Sequence, residues 1–444
     1  STLSPSSAAS DVYKRQEEHN GVSMALQVKI LGGGREVGRS AILVRDEEAT
    51  LLLDYGVMVT EKRPEFPQHV PPREVDAIAV THAHLDHSGA APVFYTSSTP
   101  PIYMSKITAE FTDILVRDLI NLSRYYLPYE TLELSAMLEN VRPAKLNRTR
   151  KVRSFEITFL NAGHIPGSLS ILVEKKGKRI WYSGDINILD TMLLKGARLE
   201  LPELDLAIIE GTYALIDHPD RRQSEQKLVE ALTETVENKG LALVPAFSVG
   251  RAQEVLCILY RYGFDYPVYL DGMARAAAKV MLKYPNEFRD FKLLKKALKK
   301  AKWVKGGKER KRIKNEACVI VTPAGMLSGG AAVYYMDKVA KSENDAVILV
   351  SYQVKGTPGR RLLDEGVYEI DGKLKKVRCR VEWIDLSSHC GKKELQEIVK
   401  KLPGNPRVLV VHGEEEACTK LASWIMEEVG LEAIAPVNGD LYTI

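Results

Sequence analysis

Four metal-competent side chains fall within six positions of this chain, in Thr81-His82-Ala83-His84-Leu85-Asp86-His87. Imidazole and carboxylate together suit zinc, and a mixed nitrogen and oxygen shell with an open position is the kind that supports catalysis. The spacing argues against one closed structural site. His82 and His84 can share one ion while Asp86 and His87 turn to a second. A lone His-x-His on a strand is most often a solvated surface feature, but His-x-His-x-Asp-His after an apolar run is much rarer by chance.

The run before the motif, Val75 to Val80, reads as a buried strand, and a sheet is a rigid mount for a ligand loop. Two ions need more donors than one loop supplies. Further candidates stand after later strand-like runs: His164 in Asn161-Ala162-Gly163-His164, Asp185 in Tyr182-Ser183-Gly184-Asp185, and His412 in Val410-Val411-His412-Gly413. Each alone reads more readily as a turn residue. Asp185, with two oxygens, could bridge two dications. Such a pair, about 4 Å apart, polarises water near neutral pH and clamps the attacking and leaving oxygens of a displacement. Asp54, in Leu53-Asp54-Tyr55-Gly56, could receive the second N–H of a ligand histidine, or equally cap a turn. The remaining histidines outside such positions, His19, His69 and His218, lie in polar stretches and are expected to be solvated.

The elements that must carry these residues can be read from periodicity. Gln27 to Leu53 reads as strand, turn, strand, strand, with Gly32-Gly33-Gly34 as the turn; no Lys-Ser/Thr follows it, so a phosphate-binding P-loop is not expected. A long helix is expected over Lys106 to Tyr126, then strands near Glu156 to Leu160, Leu169 to Val173, Arg179 to Tyr182 and Asp205 to Ile209. After Gly211 the pattern alternates. Helices over 224–238, 251–262, 274–284, 291–302 and 331–341 are separated by strands over 241–244, 268–270, 319–322 and 346–351, which predicts a parallel sheet covered on both faces. Strand-rich character is expected to resume from Gly356, ending in a strand over 407–411, a helix over 414–429 and a last short strand. The simplest architecture is a two-sheet sandwich flanked by helices and interrupted by an α/β insert.

Bulk properties narrow the class. The chain has 444 residues, 45% of them apolar and 27% charged, which suits a globular protein of two domains. A net charge of +4 means that any nucleic-acid affinity must come from local patches. Five scattered cysteines without a Cys-x-x-Cys pair fit a reducing, cytoplasmic setting. No apolar run approaches a membrane span and no signal peptide opens the chain. Residues 1–23 are polar and lack a hydrophobic period, so Met24 is expected to be the natural start and 1–23 a disordered or non-native leader.

With its histidine motif and the later strand-end residues, the chain resembles the metallo-β-lactamase superfamily. Further motifs resemble its β-CASP branch, whose members process RNA or DNA: Glu210-Gly211-Thr212-Tyr213, the run Pro245 to Glu254 containing Ser248-Val249-Gly250-Arg251, Asp271-Gly272-Met273, Thr322 to Gly330, Gly356 to Leu362, and Ser387-Ser388-His389. The opening Gly33 to Ser40 looks more like the archaeal and eukaryotic cleavage and polyadenylation specificity factor nucleases than like ribonuclease J. The resemblance implies an αββα sandwich in two parts, residues 24–212 and 356–444, with a β-CASP α/β insert on a parallel sheet at 213–355.

It also implies two zinc ions per chain. His82, His84 and His164 would hold one and Asp86, His87 and His412 the other, with Asp185 between them and Asp54 behind. His389 would be the general acid, oriented by Glu210, and Asp86 and Asp185 would join them in the catalytic set. Gly211 replaces a Ser common among relatives, and Cys390-Gly391 replaces a small residue and Asp. Cys390 is expected to be a buried, inert thiol. The implied activity is hydrolysis of single-stranded RNA, endonucleolytic in preference to 5′–3′ exonucleolytic. A small-molecule hydrolase and a non-catalytic scaffold subunit are the rivals. Arg251, Arg360, Arg361, Ser328, Gly329 and Ser388 are candidate RNA contacts. The basic run Lys292 to Lys314 could follow a phosphate backbone or form a solvated helix face. The length leaves no room for N-terminal KH domains, so RNA selection is expected to rest on the cleft or on an RNA-processing partner, and the family carries the expectation of a homodimer.

Overall fold

The computed structural model describes residues 26–60, 63–123, 126–370 and 372–444; the expected leader lies outside the described residues. Three sheets organise the chain. In the first, neighbouring strands follow the order Leu441–Thr443, Gln27–Gly32, Ala41–Arg45, Thr50–Leu53, Ala77–Ala79, Ile102–Met104, Val141–Pro143. In the second, the order is Ala433–Ile434, Arg407–Val411, Leu206–Glu210, Lys178–Tyr182, Leu169–Lys175, Phe155–Asn161, Thr149–Val152. Their facing side chains, among them Ile42, Leu51, Leu53, Phe155, Ile157, Ile180, Ile208 and Leu409, form one buried core. Helices Lys106–Ser123 and Thr131–Glu139 cover the outer face of the first sheet, and Lys392–Lys400 and Glu415–Trp424 cover that of the second. This is the αββα metallo-β-lactamase sandwich.

Two strands far apart in the chain meet in its middle. Leu206–Glu210 and Arg407–Val411 run parallel in register, Glu210 opposite Val411. They also run parallel to Lys178–Tyr182, so Asp185, Glu210 and His412 emerge at the same edge of the sheet. In the first sheet, Thr50–Leu53 and Ala77–Ala79 are parallel and deliver Asp54 and the histidine loop in the same way.

The insert is a parallel sheet in the order Lys302–Trp303, Val268–Leu270, Cys318–Thr322, Leu241–Pro245, Ala346–Leu349, Arg380–Trp383. Its central strands are buried on both faces, as their unbroken apolar runs predict. The expected boundary at 355 does not match sheet membership. Arg380–Trp383 adds to this sheet beside Ala346–Leu349, and the segment before it holds a helix, Pro358–Glu365, and a hairpin of Val367–Ile370 with Lys373–Lys376. The helix had local signals that the strand-rich reading missed: the Thr357 side chain accepts from the Arg360 N–H, and Pro358 opens the first turn. An edge strand such as Arg380–Trp383 carries no local mark of which sheet it will join.

Several side chains fasten the insert to the sandwich, and one of them is deeply buried. Glu254, on helix Arg251–Arg261, is buried and accepts from the N–H groups of Met192 (2.9 Å) and Leu193 (2.8 Å) and from Arg221 Nη2 (2.6 Å). Removing it leaves the part-buried Met192 N–H without this acceptor, the buried Leu193 N–H with only Thr191 Oγ1 at 3.2 Å, and Arg221 with Glu225 and the Ser387 carbonyl alone. Glu254→Ala is expected to cost roughly 3–5 kcal/mol, read as a lower denaturant midpoint, with a smaller loss in Glu254→Gln. An unchanged midpoint would show that this side chain does not fasten the two parts.

Candidate metal centre

Asp185 sits at the middle of the sandwich edge, buried, following Gly184 at φ 54°. A Cβ at Gly184 would lie 2.8 Å from Thr81 Cβ, so glycine is what lets this turn pass under the histidine loop. The two carboxylate oxygens of Asp185 face different histidines. Oδ2 lies 3.3 Å from His82 Nε2 and 3.5 Å from His164 Nε2, while Oδ1 lies 3.1 Å from His87 Nε2 and 3.5 Å from His412 Nε2. His84 Nδ1 closes the first group at 3.2 Å from His164 Nε2, and Asp86 Oδ2 approaches the second at 3.7 Å from His412 Nε2. The structure therefore brings together the seven side chains expected to bind metal, with possible ligand atoms in overlapping groups within 4.8 Å.

Hydrogen bonds behind the rings set which nitrogen faces inward. His87 Nδ1 lies 2.7 Å from Asp54 Oδ2, and Asp54 also accepts from the Thr81 N–H (2.7 Å), Thr81 Oγ1 (2.8 Å) and the Tyr182 hydroxyl (2.9 Å). Of the two readings of Asp54, the partner of a ligand histidine matches this geometry. His164 Nδ1 lies 2.9 Å from the Ser388 carbonyl, which can only accept, so the proton sits on Nδ1 and Nε2 presents a lone pair. His412 Nδ1 meets Ser40 Oγ at 2.7 Å, and Thr212 Oγ1 donates to the His412 carbonyl at 3.0 Å. Ser40, Thr81, Tyr182 and Thr212 carry no sequence signal of their own for this role, although each lies inside a motif that resembles the family's.

The cluster fits divalent metal. His82 Nε2, His87 Nε2 and Asp185 Oδ1 are buried without a hydrogen-bond partner, a rare state for polar atoms unless something else satisfies them. No lysine or arginine pairs with Asp185 among the described residues. Burial, aided by the charge of His82, pushes His84 down to about 3, and burial likewise holds His164 and His412 below the usual histidine range. These three rings keep the neutral form that a metal ligand needs, whereas Asp185 and Asp54 outweigh burial and raise His87 well above the usual range, a proton that a bound cation would displace.

His389 stands apart at the rim. Its Nδ1 lies 3.0 and 2.9 Å from the two Glu210 oxygens, and its Nε2 lies 3.9 Å from Asp185 Oδ2. Burial opposes charge on this ring, but Glu210 and Asp185 outweigh it and lift the pKa to about 9. Cys390 beside it is buried, and burial together with Glu210 raises its thiol well above the ordinary range, as an inert thiol requires.

Comparison with known proteins agrees with this geometry. Residues 34–246 match the metallo-beta-lactamase superfamily, 252–362 the Beta-Casp domain, and 375–436 the Zn-dependent metallo-hydrolase RNA specificity domain. The chain is 42% identical over 416 residues to RNase aCSPSF2 of Saccharolobus solfataricus, covering 93% of this chain and 84% of that protein. The chain belongs to the β-CASP family of metallo-β-lactamase-fold nucleases. Another β-CASP relative, Probable RNase MJ4 of Methanocaldococcus jannaschii, is 36% identical, covering 94% of this chain and 99% of its own. Transcription termination factor FttA of the same organism is 32% identical over 94% of this chain and 71% of its length. A solved structure titled as a protein of unknown function from Enterococcus faecalis V583 shares the fold, with a TM-score of 0.58 at 15% identity, covering 95% of this chain and 100% of that one.

The β-CASP insert brings some of the expected RNA contacts to the metal cluster and not others. Arg251, at the start of its helix, is buried and donates from Nη2 to Ser388 Oγ at 2.8 Å, with its Nε unpartnered. Arg360 pairs with Asp364 at 2.7 Å on an exposed helix face, and Arg361 lies half-buried beside it. Ser328 is exposed and Gly329 half-buried, in a loop tied to the segment before Arg360 by the Gly359 N–H donating to the Met326 carbonyl at 2.9 Å. The basic run divides. Arg310 is held by Asp271 at 2.7 Å, Arg312 by Glu316 at 2.6 Å and Lys300 by the Phe264 carbonyl at 2.7 Å, whereas Lys292, Lys295, Lys296 and Lys299 form an exposed stripe. The expectation of a solvated His218 is overturned: its side chain is only 10% exposed and its Nδ1 lies 2.6 Å from Asp385 Oδ2. His19 lies outside the described residues.

Because Asp54 fixes the His87 ring, Asp54→Ala is expected to weaken divalent-metal binding by about 10- to 100-fold. Chelator-competition titration reads this directly, and wild-type affinity in the variant would remove Asp54 from the site's support.

Proposed function

We propose that this β-CASP chain is a two-metal ribonuclease that hydrolyses phosphodiester bonds of single-stranded RNA, preferring internal sites. The observation that carries the reading is Asp185, whose oxygens each face a separate pair of histidines, beside a His389–Glu210 pair placed for proton transfer. His82, His84 and His164 would hold one zinc, and Asp86, His87 and His412 the other. Bound there, the two cations would supply Lewis acidity, lowering the pKa of water and balancing the charge of a phosphodiester. RNA as substrate is supported by the match to an RNA specificity domain and by relatives named as RNases. Five buried, free cysteines support action in a reducing cytoplasm.

The chain's own residues then divide the work. Glu210 accepts the Nδ1 proton of His389, which leaves the Nε2 proton to be given up on the side facing Asp185. A water-derived oxygen forms a new bond to phosphorus as the bond to the 3′ oxygen breaks, and His389 Nε2 gives its proton to that departing oxygen, leaving a 5′-phosphate on the other product. Arg251, with an unpartnered Nε at the same rim, would balance phosphate charge.

His389→Ala is expected to lower kcat on RNA by about 10²- to 10⁴-fold while metal content stays at the wild-type level. RNA labelled at either end, followed by product length, tests the preference for internal cuts; mononucleotides released from the 5′ end would favour the exonuclease. Glutamine in place of Lys292, Lys296 and Lys299 is expected to flatten the salt dependence of RNA binding by about 0.7 in log–log slope for each phosphate that is no longer neutralised. An unchanged slope would leave that stripe as a solvated face.

A further inference from the structure

The loop Asp385 to His389 is tied down from several sides, and one of its ties has no place in the mechanism above. His218 Nδ1 lies 2.6 Å from Asp385 Oδ2, and Asp385 Oδ1 accepts the Ser387 N–H at 2.8 Å. Ser387 Oγ in turn accepts the His389 N–H at 3.0 Å. A second line runs through packing. The Tyr213 ring meets His218 edge-on at 4.7 Å between centroids and leans on His389 at 5.8 Å. The backbone closes the arrangement, with Tyr213 bridging Gly391 and the Lys392 N–H donating to the Ile216 carbonyl at 2.8 Å. A Cβ at Gly391 would lie 2.7 Å from His218 Cδ2, so the glycine is what lets the imidazole lie against this strand of chain. His218 is 10% and Asp385 4% exposed, which makes their bond a buried polar contact with little competition from water.

We propose that His218 and Asp385 form a positioning pair that holds the 385–389 loop so that His389 Nε2 points at the leaving oxygen. The inference rests on His389 being the general acid. His218 touches no reacting atom; it acts through Asp385 and Tyr213. The same loop presents the Ser388 carbonyl to His164, but Arg251 on Ser388 Oγ and Arg221 on the Ser387 carbonyl hold that stretch independently, so loss of His218 should leave metal binding in place.

The test uses the full chain with zinc and two RNAs of one sequence, one normal and one whose scissile 3′ oxygen is replaced by sulfur. A thiolate leaves without a proton, so the sulfur substrate does not need a placed acid. His218→Ala is expected to cut normal RNA about 10- to 100-fold more slowly through kcat, with KM and zinc content unchanged, and to cut the sulfur RNA at close to the wild-type rate. His218→Asn, which keeps a donor near the Nδ1 position, is expected to recover most of the missing rate, while His218→Gln, whose donor sits further out, is not. Hydrogen exchange at amides 386–390 is expected to quicken in His218→Ala. Equal slowing on both RNAs, or no slowing on either, overturns the proposal; should His218→Ala not fold, equal rates for the Asn and Gln variants do so instead. If wild type cuts neither RNA, the ribonuclease reading fails first. If wild type cuts both but His389→Ala is unimpaired on normal RNA, the acid assignment fails.

Discussion

Burying an ionised carboxylate costs several kcal/mol unless something opposite in charge repays it. Asp185 is nearly inaccessible, and the groups around it are imidazoles. Burial disfavours its charge, yet charge on the neighbouring histidines, that of His87 first, holds its pKa well below the usual carboxylate range, and cations held by the neutral rings would do the same. Much of the architecture follows from supplying those imidazoles at the right distance. The histidines beside it, His82, His87, His164, His389 and His412, come from four separate stretches of chain, so the sandwich must set strand ends of both sheets around one point. It does so by directing Thr50–Leu53, Ala77–Ala79, Lys178–Tyr182, Leu206–Glu210 and Arg407–Val411 toward the same rim.

Rigid strand ends are not enough, because an imidazole can present either nitrogen. The site settles this for two rings with acceptors that leave little choice, a carboxylate behind His87 and a carbonyl behind His164, while a hydroxyl, which can donate or accept, holds His412 in place. Asp54 reaches its post at φ 57° and His412 at φ 50°, conformations that cost free energy in residues bearing a Cβ. Strain of this kind persists where the surroundings over-determine the backbone, and both residues are held by several hydrogen bonds.

The insert takes part in the same site. Arg221 donates to the Ser387 carbonyl at 3.0 Å and Arg251 to Ser388 Oγ at 2.8 Å, so the loop bearing His389 is gripped from the insert while Glu210 grips its ring from the sandwich. Glu254 fastens the helix carrying Arg251 to the 190s segment beneath. Domain packing and acid–base geometry thus depend on overlapping sets of hydrogen bonds.

The ligand loop could be read from sequence because it concentrates rare side chains directly after an apolar strand, and the alternating helices and strands of the insert could be read because burial on two faces leaves unbroken apolar runs. Partnership was harder. Nothing local in Arg380–Trp383 says that it completes the insert's sheet, since an edge strand alternates alike in either sheet. His218 in Asp217-His218-Pro219 looks like any solvated loop histidine, and its carboxylate lies 167 positions away. Sequence alone determined which groups were available and which runs would become strands, because those follow from side-chain chemistry and local periodicity. Only the tertiary structure decided which nitrogen each histidine presents and which oxygen of Asp185 it meets, because hydrogen bonding and burial act between atoms that the chain brings together across long separations.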